Sequence, residues 1–521
     1  MREPNLLARQ FTDQLRAISD TQAREKANAE TAEKLHVSTT GAGLTFLYES
    51  LRNASENADE KLLLQRAIRR FFKRAYLTPD NSNLGDAGAE LVTELTLAGY
   101  LENDSVMLTT INDITAIVRN YSKTRQQLLQ RFPRDTVERW TLEPMAAAIE
   151  SQLRDHRTSL AFTDLAYNYF LNAIDADSFF DGQKPTSYEA VLFVAIGSTL
   201  TKSDPAAIRF NLLSRYQISP SKAVEFAKFN TQIDQVFASP SLEKVKHLID
   251  RNGASLRILL RALHSNDKLA AQLGSEKAFL GPYDSAISES YHTVSETINR
   301  GIIRSVIFLI ISKFIIGIAI EVPYDLIVNG HIIWIALAVN LLAPPLYMIA
   351  LRLTLLMPSA ENTRALHRTM TRILFEPVPT KPFLGVRPKK KFGVGYNVAY
   401  TLAIIAVFGG FGYLLVRYAQ FEWIHLVIFF TFISTASFLG FRLSRAIREI
   451  EVGEEAQTSV TMLRDFLYMP FVAVGRRISE TYSQFNVISR FLDMFVELPL
   501  KTILGFIRQW GNFLSAKKDS F

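Results

Sequence analysis

The apolar residues of this chain follow two regimes. Up to about residue 300 they recur at steps of three and four, the period of an amphipathic helix. Leu7, Phe11, Leu15 and Ile18 predict a helix over 5–36, whose second half, through Ala27 and Ala29 to Leu35, is polar and alanine-rich. Further helices are predicted over 43–57, 59–76, 85–101, 105–130, 134–153 and 158–175, with shorter ones to about 265. Ser38-Thr39-Thr40-Gly41, Pro79-Asp80-Asn81-Ser82 and the cluster at 181–185 are turn-forming. The stretch 188–200 is strongly apolar but short of the ~20 residues a bilayer crossing needs, so it reads as a buried core helix. Gly281 and Pro282 mark a break, and a last helix from about 284 leads onward.

Beyond 300 the runs lengthen. Segments near 302–322, 332–351, 398–416 and 423–441 each offer enough apolar helix to cross ~30 Å of hydrocarbon. Tyr413, Tyr418 and Trp423 fall near their ends, where amphipathic rings favour the headgroup layer. The expected fold is all-α: a soluble multi-helix domain over 1–283, a connecting helix over 284–301, a four-helix transmembrane region over 302–441 with a basic loop at 358–397, and a tail over 442–521.

Charge sharpens this division. Residues 1–300 hold 35 Lys and Arg against 37 Asp and Glu, whereas 301–521 hold 23 against 14. A near-neutral first half argues against nucleic acid as a partner, because phosphate recognition needs a concentrated positive field. The loop near 323–331 has Asp325 and no Lys or Arg. The 358–397 loop carries Arg364, Arg368, Arg372, Lys381, Arg387, Lys389, Lys390 and Lys391 against Glu361 and Glu376, and Arg442, Arg445 and Arg448 follow the fourth run. Basic residues stay on the cytoplasmic side, so the N-terminal domain, this loop and the tail are all expected in the cytoplasm of a cell with a bacterial inner membrane. Arg387, Lys389, Lys390, Lys391, Arg442 and Arg445 are candidate contacts to anionic lipid.

The tail is amphipathic. Val460, Leu463, Leu467, Phe471, Val474 and Ile478 share a helical face despite Pro470. Arg490, Asp493, Glu497, Lys501 and Arg508 fall within about 80° of one another at 100° per residue. Helices lying in the cytoplasmic interface satisfy this pattern; a soluble pair packed on the first domain is the alternative.

Few residues carry candidate chemistry. Arg66, Arg69, Arg70, Lys73 and Arg74 form one basic helix face, more often a solvated face than a docking patch. Lys313 lies mid-span in the first apolar run, with Gly317 and Glu321 four and eight residues on. A lone ammonium in hydrocarbon costs at least ~2.5–3.5 kcal/mol, so it should face protein or water. On a straight helix Glu321 is ~12 Å further along the axis. That is too far for direct pairing, so a partner is expected from another span, with Asn340, Thr431, Ser434 and Thr435 at suitable depth. Lys313, Glu321 and Asn340 form the candidate intramembrane polar site. Pro344-Pro345 should interrupt the second span, and Gly409, Gly410, Gly412, Ala436 and Gly440 should permit close helix approach. There is no cysteine, no paired-histidine metal motif, no phosphate loop and no nucleophile elbow. Asp175-Ala176-Asp177 begins like a calcium loop, but Phe179 takes a ligand position. No catalytic residue, metal site or cofactor is indicated.

Tyr48-Glu49-Ser50-Leu51-Arg52-Asn53, the following run 61–70 and Glu321-Val322-Pro323-Tyr324-Asp325-Leu326 resemble stretches of uncharacterised multi-pass membrane proteins of small-genome candidate-phylum bacteria. The resemblance implies architecture and carries no activity. Together these features favour a membrane-tethered interaction protein, in contact with lipid and with a cytosolic protein through 1–283, and open to homo-oligomerisation. A small oligomeric transporter or channel built on Lys313 and Glu321 is the alternative.

Overall fold

The computed structural model describes residues 2–38, 62–75, 86–180, 187–266, 269–378, 394–452 and 459–484, with a few isolated positions between them. Among these residues the named elements are all helical, and extended pairing is confined to isolated bridges such as that between Lys34 and Met107. The chain divides into two compact units, residues 4–249 with 377–383, and 250–376 with 1–3 and 384–485.

The first unit is built from α1 (Leu6–Thr31), α2 (Leu63–Ala75), α3 (Ala87–Leu97), α4 (Leu108–Leu129), α5 (Arg134–Leu153), α6 (Arg157–Ala173), α7 (Tyr188–Thr199), α8 (Pro205–Arg215), α9 (Ala223–Ala238) and most of α10 (Pro240–Asn252). Asn5 caps α1 by accepting the Ala8 amide at 2.9 Å, and Phe11 and Leu15 are buried; beyond them the helix is exposed, as its alanine-rich half predicts. Ile68, Phe72, Leu91, Ile114, Val137, Trp140 and Phe226 form a shared core. α7 is short and apolar, and Val191, Leu192 and Val194 to Ile196 are fully buried. Asp175 accepts the Ser178 amide at 3.2 Å and so caps a single helical turn.

The basic face of α2 meets carboxylates. Arg70 pairs with Glu49 at 2.6 Å and Arg74 with Glu94 at 2.5 Å, while Arg69 lies 3.8 Å from Glu143 and 3.7 Å from Asp204. These are half-buried bridges between helices. Their partners come from distant sequence, which periodicity cannot show.

Glu150, on α5, is buried. Desolvation pushes its carboxyl up to about 7, with Arg154 opposing and Asp204 adding to the rise. An unfolded Glu titrates near ~4.3, so between there and pH 7 the native state holds the extra proton and stability falls as pH rises. Glu150→Gln is therefore expected to stabilise this unit above pH 7, by on the order of 2–3 kcal/mol, and to flatten the acid-side slope. Thermal melts of both proteins at pH 5 and pH 8 decide it: an equal gap at the two values contradicts the assignment.

The second unit begins with α11 (Ala254–Ser265) and α12 (Glu276–Ile316). Gly281 and Pro282 do not break the chain as their residue types suggest; α12 runs through them. Pro282 forfeits its bond to the Ala278 carbonyl. The same turn is anchored by Phe279 and Tyr283, both fully buried and stacked at 5.3 Å, and by the Tyr283 hydroxyl donating to the Ser255 carbonyl at 3.1 Å. α12 passes into a π-turn, Gly317–Glu321, and then α13 (Val322–Val328), α14 (Trp334–Thr354), α15 (Ala360–Phe375), α16 (Val394–Ala419), α17 (Trp423–Arg448) and α18 (Ser459–Gln484) follow.

Four stretches are long and apolar enough to cross a membrane: the α12–α13 rod, α14, residues 398–419 of α16, and α17. Ile303, Ile307, Phe308, Ile311 and Phe314 are exposed on α12, while Val294, Ile298, Ile302, Leu309 and Lys313 turn inward. A soluble protein would not expose such a surface; lipid would cover it. α14 is continuous through Pro344 and Pro345, so the expected interruption is absent. Gly440 is in close contact with Leu351, as close helix approach requires, but Gly409 and Gly410 have nothing within 4 Å and Gly412 meets only the Phe430 ring. The segment after α14 is ordered by α15, which buries Leu366, Met370, Ile373 and Leu374. Asn362 donates to the Ile450 carbonyl and accepts the Val452 amide, tying α15 to the end of α17.

Candidate intramembrane polar site

Lys313, Glu321 and Asn340 are brought together, by a route that straight-helix geometry does not anticipate. Lys313 Nζ lies 2.5 Å from Glu321 Oε1, so the pair forms directly and needs no cation or anion from another span. The cause is the π-turn: the Val322 amide donates to the Gly317 carbonyl, five residues back. Eight residues of α-helix advance ~800°, leaving Glu321 about 80° past Lys313 in azimuth. A wider turn winds less per residue, which brings the two towards one line and shortens the axial gap for two long side chains to close. Gly317 faces α14 at this turn, where a β-carbon would meet the Leu337 side chain at ordinary contact distance.

Both charges are closed off from solvent and lipid. Lys313 is 2% exposed and Glu321 0%. The Phe432 ring of α17 lies 4.9 Å from the ammonium, within cation–π range. Asn340, on α14, donates from Nδ2 to Glu321 Oε2 and to the His425 carbonyl, each at 3.3 Å. Pro344 has no amide to offer the Asn340 carbonyl, its normal helical partner four residues back, so this turn of α14 carries extra acceptor capacity.

Two further ionisable groups, missed by the sequence reading, complete the cluster. Asp325 reads as a loop residue, but α13 carries it as a 1% exposed side chain whose Oδ2 accepts the Ile333 amide at 2.9 Å, which fixes the turn into α14. His425, fully buried in the first turn of α17, places Nε2 at 3.4 Å from Asp325 Oδ1. Its Nδ1 accepts the Glu422 amide at 3.3 Å, which leaves the ring proton on Nε2, facing the carboxylate. The available signal was spacing: Asp325 follows Glu321 by four residues and so shares its helix face. Deeper in the bundle Ser437 donates to the Tyr347 hydroxyl at 2.9 Å. Thr431 and Thr435 bond carbonyls of their own helix, and the Ser434 hydroxyl is buried without a hydrogen-bond partner.

The outcome is a string of polar groups, Asp325–His425, Asn340, Glu321–Lys313, enclosed by α12–α13, α14 and α17. It can lock three spans into one register, or hand a proton between neighbours if water enters. Arg442 and Arg445 lie elsewhere, exposed on the last turns of α17; Arg387, Lys389, Lys390 and Lys391 fall outside the described residues. Among the described residues no group of His, Asp and Glu is arranged to hold a metal ion. No protein family, curated protein or solved structure matches this chain.

Proposed function

We propose that this is a membrane-tethered interaction protein, with its first unit presented to a cytosolic protein partner and the membrane bundle serving as a rigid anchor. The observation that carries the reading is the closure of the Lys313–Glu321 pair: a transport path would leave its charges open to water, whereas these are 2% and 0% exposed and capped by Phe432. The first unit offers a place to bind. A groove of about 600 Å³ is lined by Lys184, Tyr188, Glu189, Tyr216, Phe229 and Gln232 among others. Aromatic walls with a few polar groups are the usual make-up of a recognition site. Burial pushes the Tyr188 phenol up to about 12, so it stays protonated, and its hydroxyl has no hydrogen-bond partner among the described residues.

In this reading the basic ends of the spans face the cytoplasm. Arg300 and Arg304 on α12 and Arg442 and Arg445 on α17 are exposed there, as contacts for anionic lipid. Cross-linking of the full-length protein in membranes is expected to capture a protein partner through the groove, with capture reduced in the Tyr216→Ala/Phe229→Ala variant. Capture that is indifferent to that variant removes the groove from the proposal.

A transporter reading is favoured by a separate observation. Among the described residues Asn340 Oδ1 and Ser434 Oγ are buried without a hydrogen-bond partner, and Asp325 Oδ1 and His425 Nε2 face each other at 3.4 Å without closing a hydrogen bond, which suits groups that exchange partners. Ion or proton flux in vesicles that disappears in Lys313→Ala would replace the anchor reading with this one.

A further inference from the structure

The search for further sites leads to α18. Its composition argues against a membrane helix, with Arg464, Asp465, Arg476, Arg477 and Glu480 along its length. Its contacts argue otherwise. Tyr468 lies against Phe441 with ring centroids 6.5 Å apart, and Gly475 is pressed on the Ser434 carbonyl, where a β-carbon would collide with backbone. Seven residues forward on α18 thus match seven residues backward on α17, so the two helices run antiparallel and collinear. A helix lying flat in the interface would leave α17 after one turn.

The depth follows from the same pairs. Phe471 packs on Phe408 at 4.7 Å, Phe411 at 6.0 Å and Phe430 at 6.3 Å. Phe408 and Phe411 are near the middle of α16, and Ser434 is near the middle of α17. α16, α17 and α18 are each 26 residues long, and Phe471 is at the centre of the third. At ~1.5 Å per residue α18 spans ~39 Å, more than the ~30 Å hydrocarbon layer. Phe466, Met469 and Val474 are exposed on it, as lipid-facing residues would be.

We propose that α18 is a fifth membrane-spanning helix, and that its charged edge, Arg476, Arg477 and Glu480, is an interface with a second copy of this chain. The edge needs a polar cover. Arg476 pairs with Glu480 at 2.7 Å, yet both stay more than half exposed, at 69% and 56% of their side chains. Arg477 is exposed beside them. Matched to α17, Arg476 and Arg477 stand ~4–5 Å and Glu480 ~10 Å from the middle of the layer, inside the hydrocarbon, where charge facing acyl chains is unfavourable. Two copies in one membrane share orientation, so their α18 helices would lie parallel. Arg477 of each then meets Glu480 of the other, three residues on, and one edge supplies both signs to its own twin. α16 adds an exposed small-residue pair at four-residue spacing, Ala406 and Gly410, of the kind that lets a neighbouring span approach. Five crossings also put Gln484 on the opposite face from Glu449, in place of the even count that loop charges suggest.

The chain has no cysteine, so single substitutions report cleanly. In sealed vesicles of known orientation, a membrane-impermeant maleimide should label Gln484→Cys and Glu449→Cys from opposite faces; labelling from the same face overturns the crossing. Ala473→Cys, on the helix edge that carries Arg477 and Glu480, should form a disulfide-linked dimer on mild oxidation of the membranes. Glu480→Lys should weaken dimerisation about tenfold, and the exchanged pair Arg477→Glu/Glu480→Arg should restore it. A monomer at every protein-to-lipid ratio, or no recovery in the exchanged pair although both variants insert and fold, overturns the interface.

Discussion

Replacing Glu321 with alanine is expected to cost the second unit about 3–5 kcal/mol, because it leaves the Lys313 ammonium buried without its partner. Among the described residues Glu321 is the carboxylate paired with Lys313, the Phe432 ring lies 4.9 Å from the ammonium, and Asn340 donates its amide to Glu321 Oε2. The lysine cannot escape to the interface, since it sits mid-span and 2% exposed. Removing both charges is expected to be far milder. A buried pair repays its desolvation only partly, so Lys313→Leu/Glu321→Leu should recover most of the loss and could equal the parent. A double-mutant cycle measured by SDS unfolding in mixed micelles should then give a coupling of about 2 kcal/mol or more. Additive single losses would show that the two residues act independently, and the closed pair would lose its standing as the lock of the bundle.

Much of this cluster was legible in the sequence, and the limits have physical causes. Lys313, Glu321 and Asn340 stand out because a charge or amide inside a 20-residue apolar run is expensive. Their direct pairing did not, because the distance argument assumed 3.6 residues per turn and the chain uses a π-turn at Gly317–Glu321. No apolar period announces such a turn. Asp325 and His425 lie at the ends of apolar runs, where polar residues are ordinary; what makes them unusual is burial at 1% and 0%, which only the assembled bundle creates. Local pattern located the spans well, since length and apolarity suffice for that. α18 shows the converse: its five charges hide a helix whose glycine, Gly475, fits only against the backbone of a neighbouring span. In the first unit, the α2 arginines were visible as a stripe, and their carboxylates on other helices were not.

Asp234→Ala is expected to cost the first unit a similar 3–5 kcal/mol, since it strands a buried guanidinium. Arg209, on α8, is 3% exposed, and among the described residues Asp234 is the carboxylate that pairs with it, with Glu143 adding a weaker attraction. Its Nη2 donates to Asp234 Oδ1 at 2.5 Å and its Nη1 to Asn230 Oδ1 at 2.8 Å. The other oxygen, Oδ2, accepts from Trp140 Nε1 at 2.9 Å and from Arg139 at 3.2 Å, so one carboxylate joins α5, α8 and α9. Burial by itself would raise the Asp234 carboxyl; hydrogen bonds from Arg209 and Trp140 and the charges of Arg209 and Arg139 outweigh it and hold the group below its ordinary range. A carboxyl depressed in the folded state stabilises above its unfolded value near ~3.9, and that contribution fades as pH falls through the lower folded value. The gap between parent and Asp234→Ala should therefore be full at pH 7 and shrink below about pH 4. Asp234→Asn keeps the shape and one acceptor, so it should fall between the two. Hydrogen exchange across 205–238 in the full-length protein reads the effect locally, with faster exchange in Asp234→Ala at pH 7. A loss under about 1 kcal/mol, or a gap that persists unchanged to pH 3, would mean that Arg209 is stabilised by its packing and by Asn230, and that the carboxylate is dispensable.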